Sequence, residues 1–408
     1  MVAVARSLSR QFQMSGASKI RDSKIRIVLA NRTLAGYPQG GGHWTCFLQY
    51  LFGLEALGHH VFWLEVLRSS GNAVRDRRLI DIFFGRFQKY GFKDRCALLL
   101  CGEQMIEPTL EGTHAYGMSK HQIKEIARDT DILWNFACSL RQPLLSLFKR
   151  RVLIDLDPGH LQVSALTWDM GIHDHHMYLS VGTKFHDGDC EIPDLNVKWH
   201  RFFPFVHLPM WSSATNPADD APFSSVTQWT WEYLQLEGRT LSVSKRDAYL
   251  RYIDLPKKTG RPFELAVNIH PKDATGDRES LLEMGWRLVN PHRVARSPAL
   301  YQAYIRKSRA EFSCAKPIHR ELKTGWFSDR STAYLASWRP VLAEDTGFGD
   351  HLSTDRGLLS FKNLTEARAG VAEIDSNYPQ HMRAAREMAE EYFNAQKSLP
   401  YMLSTCGW

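Results

Sequence analysis

Short apolar runs alternate with helical spacing along this chain. Lys24–Ala30 (KIRIVLA), His60–Glu65 (HVFWLE), Arg95–Cys101 (RCALLLC), Asp131–Ala137 (DILWNFA), Arg151–Asp155 (RVLID) and Met177–Gly182 read as strands in the first half. Phe263–Val267, Trp286–Val289, Ala310–Ala315, Val341–Ala343 and Leu358–Phe361 do so in the second. Between the first two runs, Phe47, Leu48, Tyr50, Leu51, Leu54 and Leu57 fall at helical spacing, and Gly58 closes that helix. Further helices are expected over residues 72–92, 118–128, 244–255, 299–309 and 365–372, with a long amphipathic one over Tyr378–Gln396. Apolar strands separated by crossover helices predict parallel sheets, because parallel neighbours need such a connection and bury both faces. The fold class is therefore α/β.

At 408 residues the chain has room for two domains of ordinary size. Residues 212–222 (SSATNPADDAP) are polar and proline-containing, and mark a linker. This divides the chain into 23–211, the linker 212–222, 223–375, and a terminal helix and tail, 376–408. Residues 1–22 are basic and carry no acid before Asp22, which suits a disordered arm or a targeting peptide.

In parallel sheets, ligands bind outside the carboxyl ends of the strands. Three such places carry chemistry. After the first strand comes Gly40-Gly41-Gly42-His43, where glycines allow close approach to the backbone. His43 can serve there as a general base near neutral pH or can cap the following helix. After Arg151–Asp155 comes Asp157-Pro158-Gly159, a turn whose carboxylate is a second catalytic candidate. The third place is Gly325–Phe348. Ser328, Arg330 and Ser331 stand at a helix start, which suits an anion such as a diphosphate. Glu344, Asp345, Thr346 and Gly347 follow the next strand, offering acceptors for sugar hydroxyls. Lys316 and Lys323 lie just ahead. The histidines of 169–176 lack zinc-ligand spacing and predict a surface loop, so no metal is expected.

This pattern resembles the GT-B-type glycosyltransferases, on the residues Gly325, Ser328, Arg330, Ser331, Glu344, Asp345 and Gly347. The resemblance implies two Rossmann-like domains facing a cleft and a last helix that crosses back to the first domain. It implies that the second half binds a nucleotide sugar. Pro291, His292 and Val294 would hold the nucleobase, and Gly41 and Gly42 would face the donor. The E-x7-E signature of one large retaining family is absent, since Ala336 stands eight residues before Glu344. The expected function is sugar transfer from a nucleotide-diphosphate donor, a co-substrate rather than a cofactor, to an acceptor hydroxyl. Transfer to a DNA or RNA base and sugar-nucleotide epimerisation remain alternatives on the same fold.

Net charge is +7, which favours anionic partners, but the basic residues are dispersed and do not single out nucleic acid. The seven cysteines include no C-x-x-C pair, as expected of a reduced, cytoplasmic protein.

Overall fold

The computed structural model describes residues 24–211, 215–270, 272 and 276–408. The basic arm over 1–22 lies outside them, as do residues 212–214 of the linker.

Eight strands form the first sheet: β1 (Arg26–Asn31), β2 (His60–Arg68), β3 (Cys96–Cys101), β4 (His114–Tyr116), β5 (Ile132–Phe136), β6 (Arg151–Asp155), β7 (Met177–Ser180) and β8 (Trp199–Arg201). Their order is β4-β3-β2-β1-β5-β6-β7-β8, and every pairing is parallel except β3–β4. Strand order reverses between β1 and β5, so the loops after these two diverge and open a crevice.

The second sheet holds β9 (Phe223–Thr227), β12 (Phe263–Val267), β13 (Trp286–Val289), β14 (Ala310–Ser313), β15 (Val341–Glu344) and β16 (Leu358–Phe361). It is wholly parallel, in the order β13-β12-β9-β14-β15-β16. A hairpin of β10 (Tyr233–Leu236) and β11 (Arg239–Ser242) stands outside it.

Each sheet has its own apolar core. In the first, helix Gly41–Ala56 lays Trp44, Phe47, Tyr50 and Leu54 on the sheet, against Trp63 and Trp134. The expected Tyr378–Gln396 helix is two: Tyr378–Tyr392 and Ala395–Thr405. The break at Asn394 is capped by its own side chain, which accepts from Gln396 N at 3.0 Å. The last helix returns to the first core, where Leu399 packs on Gly53 at a spacing that leaves no room for a Cβ.

The two halves also meet directly. Gly182 bridges Trp326, Thr183 Oγ1 donates to Gly325 O at 2.8 Å, and Gly41 N donates to Ala295 O at 2.9 Å. The histidine-rich segment is not all surface. His175 is buried and bonded to Asn135 at 2.9 Å and to Ile172 O at 3.0 Å.

Candidate active site in the cleft

A cavity of about 420 Å³ lies outside the carboxyl ends of β1, β5, β6 and β7. Trp326, Phe327 and Asp329, at the start of helix Asp329–Ala336 of the second half, line its other side. His43, Asp157 and Asp329 all line it.

His43 sits in the first turn of the helix that follows β1. Its Nε2 is 2.6 Å from Thr33 Oγ1, and that hydroxyl is also 2.6 Å from Asn31 Oδ1. Asn31 Oδ1 can only accept, so the single hydroxyl proton of Thr33 goes there. His43 Nε2 must then donate to Thr33, which leaves Nδ1 with the free lone pair. Burial pushes the His43 pKa down to about 4, so the ring is neutral at pH 7.

Asp157 follows β6 at the start of helix His160–Thr167. Gln162 ties that turn by accepting from Gly159 N at 2.6 Å and donating to Asp155 at 2.9 Å. Asp157 joins a cluster across the two halves. Lys316 pairs with its Oδ2, His160 Nδ1 lies 3.1 Å from the same oxygen, and His319 Nε2 lies 3.2 Å from Oδ1. Burial opposes ionisation, but Lys316 and the two histidines hold this carboxyl well below the usual carboxylate range. His160 has a second carboxylate, Glu232, at 2.8 Å from Nε2. Burial opposes its protonation, yet Asp157 and Glu232 raise its pKa, because both nitrogens face acceptors. His319 is different. Burial pushes it down to about 4, and a neutral ring has one N–H for two acceptors, Pro158 O and Asp157 Oδ1. One of those contacts is therefore without a proton.

The expected donor residues are distributed less evenly. Ser328 caps its helix by accepting from Arg330 N at 3.2 Å. Arg330 does not present its guanidinium at the helix start. It turns inward, with Nε on Glu311 at 2.5 Å, Nη1 on Val226 O at 2.9 Å and Nη2 on Ser313 at 3.0 Å. Ser331 Oγ is buried without a partner. Glu344 is buried too, accepting from Arg251, Tyr252 and Ala315 N at 2.8, 3.1 and 3.1 Å. Asp345 is half-buried, accepting from Gly347 N at 2.9 Å with Lys362 Nζ at 3.5 Å. Thr346 donates to Trp326 O at 2.7 Å. Lys323 reaches Asp189 at 3.6 Å. Pro291, His292 and Val294 form a short helix capped by Asn290, whose side chain accepts from His292 N at 2.8 Å.

The glycines expected to face a ligand face the other half of the protein instead. A Cβ on Gly41 would lie 2.5 Å from Ser297 O, and one on Gly42 would meet the Tyr301 ring at 3.1 Å. Gly325 and Gly347, with φ of 67° and 98°, pack on Thr183 and Lys184.

Three residues escaped the sequence reading. Asp329 lines the cavity beside Cys46, and burial together with this carboxylate holds the Cys46 thiol well above its ordinary value. His160 carried a signal in its i,i+3 spacing from Asp157. Lys245 is buried beneath the Trp326 ring at 4.9 Å and donates to Cys314 O. Burial, with Arg330 nearby, pushes its pKa down to about 7. Among the described residues no group of three His, Cys, Asp or Glu is placed to hold a metal ion, and no helix is long and apolar enough to cross a membrane.

No protein-family model matches the sequence, and no curated protein does. Solved structures do match. An alpha-glucosyltransferase in complex with UDP-glucose and DNA containing an abasic site aligns over 95% of this chain and 100% of its own, at 10% identity and a TM-score of 0.57. Anabaena HepE in complex with UDP-glucose aligns over 94% and 100%, at 9% identity and a TM-score of 0.57. A glycosyltransferase from Rickettsia africae ESF-5 aligns over 94% and 98%, at 13% identity and a TM-score of 0.50. With its two sheets facing a shared cleft and its last helix returned to the first core, the chain has the GT-B glycosyltransferase fold.

Proposed function

We propose that this protein transfers a sugar from a UDP-type nucleotide donor to a hydroxyl of an acceptor held in the cleft cavity. The observation that carries the reading is the convergence of His43, Asp157 and Asp329 on one cavity at the strand-order reversal of the first sheet. Residues 23–211 bind the acceptor and residues 223–375 the donor. His43 Nδ1 takes the acceptor proton, since Nε2 is already committed to Thr33. Lys316 receives the donor diphosphate by exchanging it for Asp157, and Ser328 and the helix start add hydrogen bonds. Asp157, released from Lys316, then orients the acceptor. Asp345 stands beyond that helix for the sugar. Arg330, Glu344 and Thr346 serve as the frame under the site, because their partners are internal. The reaction in this reading uses no metal, and the reduced state of all seven cysteines suits the cytoplasm.

The solved relatives with UDP-glucose support this reading by fold. The test is nucleoside diphosphate release from a panel of nucleotide sugars, with calorimetric binding of UDP to wild type and Lys316→Met. Turnover of a UDP-sugar and a roughly tenfold to hundredfold loss of UDP affinity in the variant are expected, as for loss of one charge-assisted contact. Turnover without any change in affinity removes Lys316 from the donor site. No turnover with any donor removes the transferase reading.

A further inference from the structure

The buried and exposed parts of the cavity differ in chemistry. Its buried wall is aromatic. Phe47 and Tyr50 from the first helix, Phe136 from the end of β5 and Phe205 from beyond β8 meet edge to face, with centroids 4.6 to 5.0 Å apart. Leu161 and Met170 extend that wall. Its exposed edge is polar and of mixed charge. Asp157 and Asp329 belong to the lining, Lys316 pairs with Asp157, and Glu232 stands behind His160. Asp169, beside Met170, pairs with Arg141 at 3.7 Å. Arg32 is the one lysine or arginine in the lining among the described residues.

Resting on the transferase reading, we infer that the acceptor is a compact hydrophobic alcohol or phenol: an apolar ring system that fills the aromatic wall, with its hydroxyl at the polar edge beside His43. A volume of about 420 Å³ suits one small molecule of that kind. A sugar ring pressed into the same wall would leave hydroxyls facing hydrocarbon without partners. A flipped nucleic-acid base could stack there, but its flanking phosphates would meet Asp329 and Glu232 with Arg32 as the cation of the lining, and among the described residues no row of lysines or arginines leads away from it. Nucleic-acid binding needs cations along the backbone path. The net charge of +7 therefore does not describe this mouth.

The test is a fluorescence titration of the full chain with 4-methylumbelliferone, with and without UDP. Maltohexaose and a twelve-residue single-stranded oligothymidylate serve as competitors. Two variants change the cavity at different places. Ser164→Trp fills its mouth from a half-buried helix position, and Phe205→Leu shortens its wall without emptying it. The expected result is binding of the phenol, no displacement by either competitor, and a loss of about tenfold or more in at least one variant while UDP affinity changes less than about twofold. Absence of phenol binding, wild-type phenol affinity in both variants, or displacement by the hexaose or the oligonucleotide overturns the assignment. The readout is binding, so it is separate from turnover. Phenol binding without turnover on any donor keeps this site and retires the transferase reading. Turnover without phenol binding does the reverse.

Discussion

Replacing Arg330 by alanine should damage folding more than donor binding. Glu311 lies in the middle of the second sheet and is fully buried, and Arg330 is its ion-pair partner. Two further donors of the same guanidinium satisfy Val226 O and Ser313. Arg330→Ala would strand a buried carboxylate and two polar groups together. Breaking a buried ion pair from one side costs about 3–5 kcal/mol, because the remaining charge has no water to turn to. That is a large part of the roughly 5–15 kcal/mol that holds an ordinary domain together. The assay is urea unfolding followed by far-ultraviolet circular dichroism, on wild type, Arg330→Ala and the double variant Arg330→Met/Glu311→Leu. The single variant should lose its transition or shift it strongly to lower urea. The double variant should recover most of the loss, since removing both charges leaves nothing stranded. A single variant of near wild-type stability that has lost UDP affinity would show that Arg330 faces the ligand, and would refute the reasoning.

Two other consequences follow from the contacts between the halves. Gly325→Ala puts a Cβ 2.9 Å from Lys184 N in a residue already at φ 67°, so it should loosen the seam and increase cleavage between the halves in limited proteolysis. Wild-type protection in that variant would contradict the packing described. Asp157 and Glu232 raise the His160 pKa above its ordinary 6.5, so the folded state holds this proton more tightly than the unfolded chain does. Its stabilisation is full below about pH 6.5 and is lost as pH rises through the folded value. The stability gap between wild type and His160→Gln should accordingly narrow from pH 6 to pH 9 by about 1 kcal/mol or more for each unit of upward shift. A gap that widens with pH would contradict the assignment.

Most strands buried on both faces were legible in the sequence, because each is a continuous apolar run between turn residues, as in RCALLLC and RVLID. Two parallel strands were missed: β9, whose run is interrupted by the buried Ser224 and Ser225, and the three-residue β8. The short strands β4, β10 and β11 were missed as well. They pair antiparallel, their side chains are largely exposed, and their apolar pattern is weak. Helix His160–Thr167 was missed because its buried face carries Gln162 among leucine and valine. His43 and Asp157 were named from position alone, at the carboxyl ends of strands, and both line the cavity. Arg330 shows the limit of that reasoning. A cation at a helix start reads as an anion site unless one knows that Glu311, nineteen residues earlier, lies beneath it. The glycines show the same limit. A missing Cβ signals close approach, but the partner here is Ser297 O or Lys184, not a ligand.

The central claim is that His43 Nδ1 accepts the proton of the acceptor in this cavity. The measurement that tests it is the pH dependence of nucleoside diphosphate release, from pH 3.5 to 8.5, for wild type and His43→Gln. Glutamine can still bond Thr33, so the helix start should hold. Because burial lowers the His43 pKa to about 4, wild-type turnover should stay flat down to that pH and fall below it, not near 6.5. His43→Gln should lower turnover by roughly 10²–10⁴ and remove that limb, with UDP affinity unchanged. Turnover per folded molecule that is unaltered in His43→Gln, with the acid limb still in place, would contradict the account and assign the proton to another group.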